Sequence, residues 1–148
     1  MKKQIVMVVG IITALVSCQK ETSVSPPASE KMKLLTAREW VVLKAEEKND
    51  IGVWEDVFPL FEDCLKDNRF KFNTDFSVVY GEGPDACSPN SPNQVIYTGS
   101  WKFNADETAI ITDDTENKIL QLDASRLVMT TIETDAGVTY ESRITFRH

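Results

Sequence analysis

The amino-acid sequence predicts an all-β domain, an antiparallel meander of about eight short strands forming either an up-and-down barrel or a two-sheet sandwich. Three observations carry that expectation. Apolar residues repeat with period two through most of the chain, placing one face of each run inward. Clusters of Asn, Asp, Ser, Thr and Gly separate the runs at short intervals, as turns require. Helical periodicity is almost absent after residue 37.

Taken in order, Met32-Lys33-Leu34-Leu35-Thr36-Ala37 has the pattern of one short helical turn. Trp40 to Ala45 is the first strand, with Val41, Leu43 and Ala45 expected on one face and Trp40, Val42 and Lys44 on the other. Glu46 to Gly52 is polar and reads as loop. Val53 to Phe61 is an apolar-rich connection that Pro59 prevents from being one regular element. Next comes a hairpin: Phe70 and Phe72, then Phe76, Val78 and Tyr80, share a face across the turn residues Asn73-Thr74-Asp75. Gly81 to Pro84 and Ser88 to Asn93 form a long irregular segment around Cys87. Tyr97, Gly99, Trp101 and Phe103 line one face of the following strand. Ala109–Thr112 is short, and Asp113 to Asn117 reads as a turn. Lys118–Leu122 pairs with Leu127–Ile132 around Asp123-Ala124-Ser125, and Asp135-Ala136-Gly137 closes the last hairpin. Its final strand alternates most clearly, with Val138, Tyr140, Ile144 and Phe146 expected inward.

At 148 residues the chain is one domain in size. An apolar content of 42% and a mean hydropathy of −0.23 exclude a multi-span membrane protein and a disordered one. The formal charge of −7 provides no basic stripe for nucleic acid.

The N-terminus has the arrangement of an export signal, with Lys2 and Lys3 ahead of a 12-residue apolar run from Ile5 to Val16. A spanning helix needs about 20 such residues. Leu15-Val16-Ser17-Cys18 resembles a bacterial lipobox, in which the Cys is lipidated and becomes the new N-terminus. An ordinary signal peptide with an unrelated Cys is the competing reading. Gln19-Lys20-Glu21 resembles the start of the export signal of surface lipoproteins in Bacteroidetes-type bacteria. The expected organisation is a signal peptide over 1–17, a lipidated Cys18 and flexible tether over 18–30, and a barrel domain over 31–148. Membrane lipid, through N-terminal acylation, is then the first partner. The expected address is the outer membrane, facing the periplasm or the cell surface.

From Leu35 onward the chain resembles the lipocalin-like domain of Bacteroidetes lipoproteins. Trp40, the run from Cys64 to Phe72, Cys87, Gly99-Ser100-Trp101 and the closing hairpins carry that resemblance. It departs where Arg38 replaces an expected Gly and where Asn73-Thr74-Asp75 leads directly into Phe76. The resemblance implies an eight-stranded antiparallel up-and-down barrel with an internal calyx, and no assigned ligand.

With Cys18 modified, Cys64 and Cys87 remain, and an even pair in an oxidising compartment predicts a disulfide. Closing that loop of about 24 residues contributes roughly 3 kcal/mol in the chain-entropy model. His148 is the sole histidine and sits at the terminus, which leaves Ser-His-Asp chemistry and zinc without ligands. The carboxylate pairs Glu62-Asp63, Asp106-Glu107 and Asp113-Asp114 fall at expected turns, where solvation accounts for them. No catalytic residue, cofactor or metal is therefore expected. Aromatic residues are the remaining candidates for binding. Trp54, Phe58 and Phe61 are expected as a lid, and Trp40, Phe72, Tyr80 and Trp101 as a floor, for a small apolar or amphipathic molecule. The same aromatic load is compatible with a filled barrel acting as a structural or interaction module that docks an envelope protein. Acylation has its own test: Cys18→Ser should leave an uncleaved precursor without acyl label, and normal processing and acylation of that variant would contradict the lipobox reading.

Overall fold

The computed structural model of the protein describes residues 28–87 and 94–148. The expected signal peptide, Cys18, most of the tether and the Ser88–Asn93 segment lie outside the described residues. A short helix α1 (Glu30–Thr36) precedes nine strands: β1 (Trp40–Lys48), β2 (Trp54–Asp56), β3 (Arg69–Phe72), β4 (Ser77–Gly81), β5 (Val95–Phe103), β6 (Ala109–Thr112), β7 (Thr115–Leu122), β8 (Arg126–Asp135) and β9 (Val138–Arg147). Eight of them, all but β2, form an antiparallel up-and-down barrel, because β9 returns to pair with β1. β2 is a three-residue strand added beside the upper end of β1, through Glu46↔Asp56 and Lys48↔Trp54. β3 takes the lower end of the same edge, through Trp40↔Phe70.

One end of the barrel is solid. Ser29 caps α1 by accepting from the Met32 N–H at 3.0 Å, and the helix lays Leu35, fully buried, across the barrel floor. The indole of Trp40 donates to the Leu35 carbonyl at 2.9 Å and packs at 3.7 Å against the His148 ring. Trp101 is edge-on to both Phe72 and Phe103, and its Nε1–H donates to the Asn73 carbonyl at 3.0 Å. Ile110, Leu127 and Phe146 complete this cluster. Both tryptophans are amphipathic, and burying their rings is tolerated because each N–H has a partner.

Four details depart from the simple alternation. A register shift between Val42 and Lys44 rotates β1 by one residue, so Ala45 is buried while Leu43 stays partly exposed. β1 also runs on to Lys48 through residues expected to be loop. Phe76 is not part of β4. Asn73 to Phe76 form a turn closed by Phe76 N–H to the Asn73 carbonyl, and Phe76 takes φ +66° at the position where such hairpins usually carry Gly. Its ring therefore leans on Trp101 from outside and remains half exposed. Finally, Val138 and Tyr140 do not reach the core. β8 and β9 stay paired up to Asp135↔Val138, whereas β7 pairs with β8 only as far as Thr131, so the top of this hairpin stands above its neighbours.

The β1–β9 closure carries an ion pair. Glu46 and Arg143 are cross-strand partners and form a bidentate contact at 2.7 and 2.8 Å, with Lys44 also on Glu46 at 2.7 Å. The hydrogen bonds from Arg143 hold the Glu46 carboxyl down to about 2 from its ordinary 4.5, against the opposing effect of burial, and Lys44 adds to the depression. A carboxyl depressed in the folded state stabilises fully above its unfolded pKa and loses that contribution as pH falls through its folded one. The stability difference between the parent and Glu46→Gln should thus be constant above about pH 5 and shrink as pH falls from 4.5 toward 2. Urea midpoints measured across that range check this, and a difference independent of pH would contradict it.

Candidate functional site

The upper half of the barrel is hollow. A cavity of about 330 Å³ lies inside, and its lining comes from seven consecutive strands, β3 to β9. Phe70, Phe72, Val78, Met129, Ile144 and Phe146 form its apolar side. Thr112, Asp113, Thr115 and Asn117 form a polar side, and Tyr80 and Tyr97 stand between the two. A second space of about 150 Å³ lies toward β1, among Val42, Ala45, Phe61, Leu65 and Asn68. The two spaces share Phe70, Tyr80 and Ile144 as their common wall. The Phe70 and Tyr80 rings are stacked at 4.5 Å, and Phe70 is also edge-on to Phe146 at 5.4 Å.

Access follows from strand length. β6 is four residues long, and the Asp113-Asp114 turn brings the chain back low on the wall, with φ +43° and +74°. β5 pairs with β6 only over Trp101–Phe103, and β7 with β8 only up to Thr131. The wall is therefore notched between β5 and β8, with Asp113 at the base of the notch. Asp113 Oδ1 accepts from the Ser100 N–H at 2.9 Å and from the Ser100 hydroxyl at 3.2 Å, which ties the turn to β5. Oδ2 lies over Gly99 together with the Tyr97 hydroxyl. Any side chain at residue 99 would occupy the space those two groups use, so Gly99 is what leaves room for both over the strand.

Asn117 supplies the polar wall's rigidity. Its Nδ2 donates to the Ile110 carbonyl, the Thr112 hydroxyl and the Thr115 carbonyl at 3.0 to 3.2 Å, and its Oδ1 accepts from the Thr131 hydroxyl at 2.6 Å. Each amide group is engaged, so the side chain is held in one orientation.

The rim opposite the notch is clamped. Cys64 and Cys87 are joined as a disulfide with Cα atoms 4.9 Å apart, as the paired cysteines predict. Next to it, buried Asn68 donates to the Tyr80 hydroxyl at 2.7 Å and accepts from the Gly83 N–H at 3.2 Å. Asp67 accepts from the Asp85 N–H at 2.8 Å, and Gly83 approaches Asp67 too closely to carry a Cβ. These contacts fix residues 82–87 against 64–68, where the chain has little regular structure of its own.

The residues named from sequence separate into four places. Phe72 and Tyr80 line the larger cavity, with Tyr80 shared by the smaller one. Phe61 lines the smaller space and is edge-on to Phe58 at 5.6 Å, while Phe58 itself lines neither. Trp40 and Trp101 lie in the solid floor, below the hollow part. Trp54 stands on the outer wall, where the Arg143 guanidinium lies 4.3 Å and the Lys48 ammonium 5.5 Å from its ring centre. It covers the Glu46–Arg143 pair and not the cavity. Sequence reasoning passed over Asp113 and Asn117 as turn residues. The signal that could have found them is the brevity of Ala109–Thr112, since a four-residue strand in a barrel leaves its turn on the wall.

Among the described residues, the one group of potential metal ligands that converges is Glu62, Cys64 and Cys87. Its two sulfurs are bonded to each other and present no thiolate.

No protein-family model matches the chain, and no curated protein matches it. Among solved structures the chain is similar to the siderocalin Ex-FABP, described as functioning through dual ligand specificities, at 15% identity over 74% of this chain and 70% of that one, with a TM-score of 0.44. It is similar to a deswapped triple mutant of bovine odorant-binding protein at 16% identity over 75% and 72% of the two chains, with a TM-score of 0.45. It is also similar to bovine odorant-binding protein in complex with a selenium-containing odorant, at 14% identity over 83% and 74%, with a TM-score of 0.46.

Proposed function

We propose that this chain is a binding protein whose barrel holds one small apolar or amphipathic molecule in its upper half, and that it is carried on the outer membrane by a lipid on Cys18. The observation that supports binding is the hollow half itself. Its lining is mostly apolar, it opens through the notch, and a few convergent polar groups sit at one side, which is the usual make-up of a small-molecule site. The anchoring half of the proposal rests on Lys2, Lys3, the Ile5–Val16 run and Leu15-Val16-Ser17-Cys18. A place among Bacteroidetes-type lipoproteins rests on the motifs quoted with that resemblance.

Size sets the ligand class. A 150 Å³ apolar cavity accommodates benzene, so a space of about 330 Å³ holds on the order of a dozen non-hydrogen atoms. Burying an eight-carbon chain contributes roughly 6 kcal/mol at about 0.8 kcal/mol per methylene. The cost of immobilisation offsets part of this, which places Kd at about 100 µM to 1 mM. Larger lipids would have to extend through the notch.

The test uses 1-octanol titrated calorimetrically into the purified protein and into Ile144→Trp. Ile144 borders both spaces, so an indole there occupies the volume a ligand would use. Saturable binding by the parent, weakened at least about tenfold in the variant while its melting temperature shows it folded, is the expected result. Absence of saturable binding by the parent, or equal binding by a folded variant, would leave the barrel as an interaction module.

A further inference from the structure

We infer that the cavity selects its ligand by head group, taking a hydrogen-bond donor such as an alcohol or a protonated amine and rejecting a carboxylate. This rests on the binding reading above and sharpens it. Among the described residues, no Lys, Arg or His lines either space in the barrel. Among the described residues, the one charged side chain at the larger cavity is Asp113, and it stands where a ligand entering through the notch would leave its polar end.

Only half of that carboxylate is used. Oδ1 is committed to the two donors of Ser100, whereas Oδ2 has no hydrogen-bond partner among the described residues. It is aimed over Gly99 beside the Tyr97 hydroxyl. A ligand hydroxyl or ammonium placed there gains a charge-assisted bond to Oδ2. An anionic head meets the opposite situation. The amide N–H groups of Asn117 are occupied by protein acceptors, which leaves only neutral hydroxyls to meet it. A fatty-acid carboxylate would be desolvated beside another carboxylate with no cation to balance it.

Asp114 provides an internal control. Both aspartates of the turn border the outer groove beside Phe76 and Lys102, but Asp113 also lines the cavity and Asp114 does not. Both aspartates have positive φ, a conformation Asn adopts readily, so neither Asn variant should disturb the turn.

The experiment compares 1-octanol, octylamine and octanoate at pH 7.5 in the parent, Asp113→Asn and Asp114→Asn. In the parent, octanol and octylamine should each bind at least about tenfold more tightly than octanoate. Asp113→Asn should reduce that preference for octylamine at least about fivefold, and Asp114→Asn, with the same change in net charge, should leave it nearly unchanged. Octanoate binding as tightly as octanol, or the two variants behaving alike, would overturn the head-group inference while leaving the cavity as a binding site. Failure of all three ligands to bind the parent would overturn both.

Discussion

Everything described above depends on the pairing of β9 with β1. An open eight-stranded sheet would present two unpaired edges and have no interior. Closure removes the edges and creates a space whose size is set by strand number. The pairing runs from Val41↔Arg147 at the floor to Glu47↔Ser142 near the rim. It passes through a register shift in β1 that lets the strand bend around the core and still put Ala45 inside. The Glu46–Arg143–Lys44 group sits on the outside of this seam, partly shielded from water by the Trp54 ring. A partly buried ion pair of this kind is weak evidence for net stability, but it opposes slippage, because a one-residue shift would separate the two charges.

The barrel divides its work along its axis. The lower half is filled by Leu35, Trp40, Trp101, Leu127 and Phe146, with α1 as a plug, and behaves as an ordinary hydrophobic core. The upper half is held open by other means. Stacked rings of Phe70 and Tyr80 stand as a partition, Asn117 braces the polar wall with four hydrogen bonds, and the disulfide with Asn68, Asp67 and Gly83 clamps the rim. A hollow is costly because its lining forgoes packing contacts, and these tethers keep the walls from closing on it. The hollow region and the tethered region coincide.

Much of this was legible in the sequence. Period-two alternation and turn chemistry located most of the strands, and resemblance selected a barrel over a sandwich. The paired cysteines predicted the bond that forms. What could not be read has physical causes. A bulge between Val42 and Lys44 leaves no mark in residue type, since either phase of β1 places apolar side chains inward. Phe76 looked like a strand residue because its left-handed conformation is one that Phe seldom adopts. Trp54 looked like a lid because an indole needs cover, and cover came from Arg143 on the outer wall. Val138 and Tyr140 keep the alternation of their strand but lack a neighbour, as their hairpin outruns β7. Asp113 and Asn117 were the largest omission at the site. Polar residues in a turn are ordinarily solvated, and only the height of that turn on the barrel wall gives them something else to face.

A solid floor beneath a hollow upper half, proposed to accept a ligand, dictates where a bound molecule is felt. Methyl resonances followed by NMR during a titration with 1-octanol test it most directly, because they report position as well as binding. Saturable shifts should appear at Val78, Met129 and Ile144, which line the cavity, and not at Leu35 and Leu127 in the floor. Shifts confined to the floor or to outward methyls such as Ile51 and Leu60, or none at all, would contradict it.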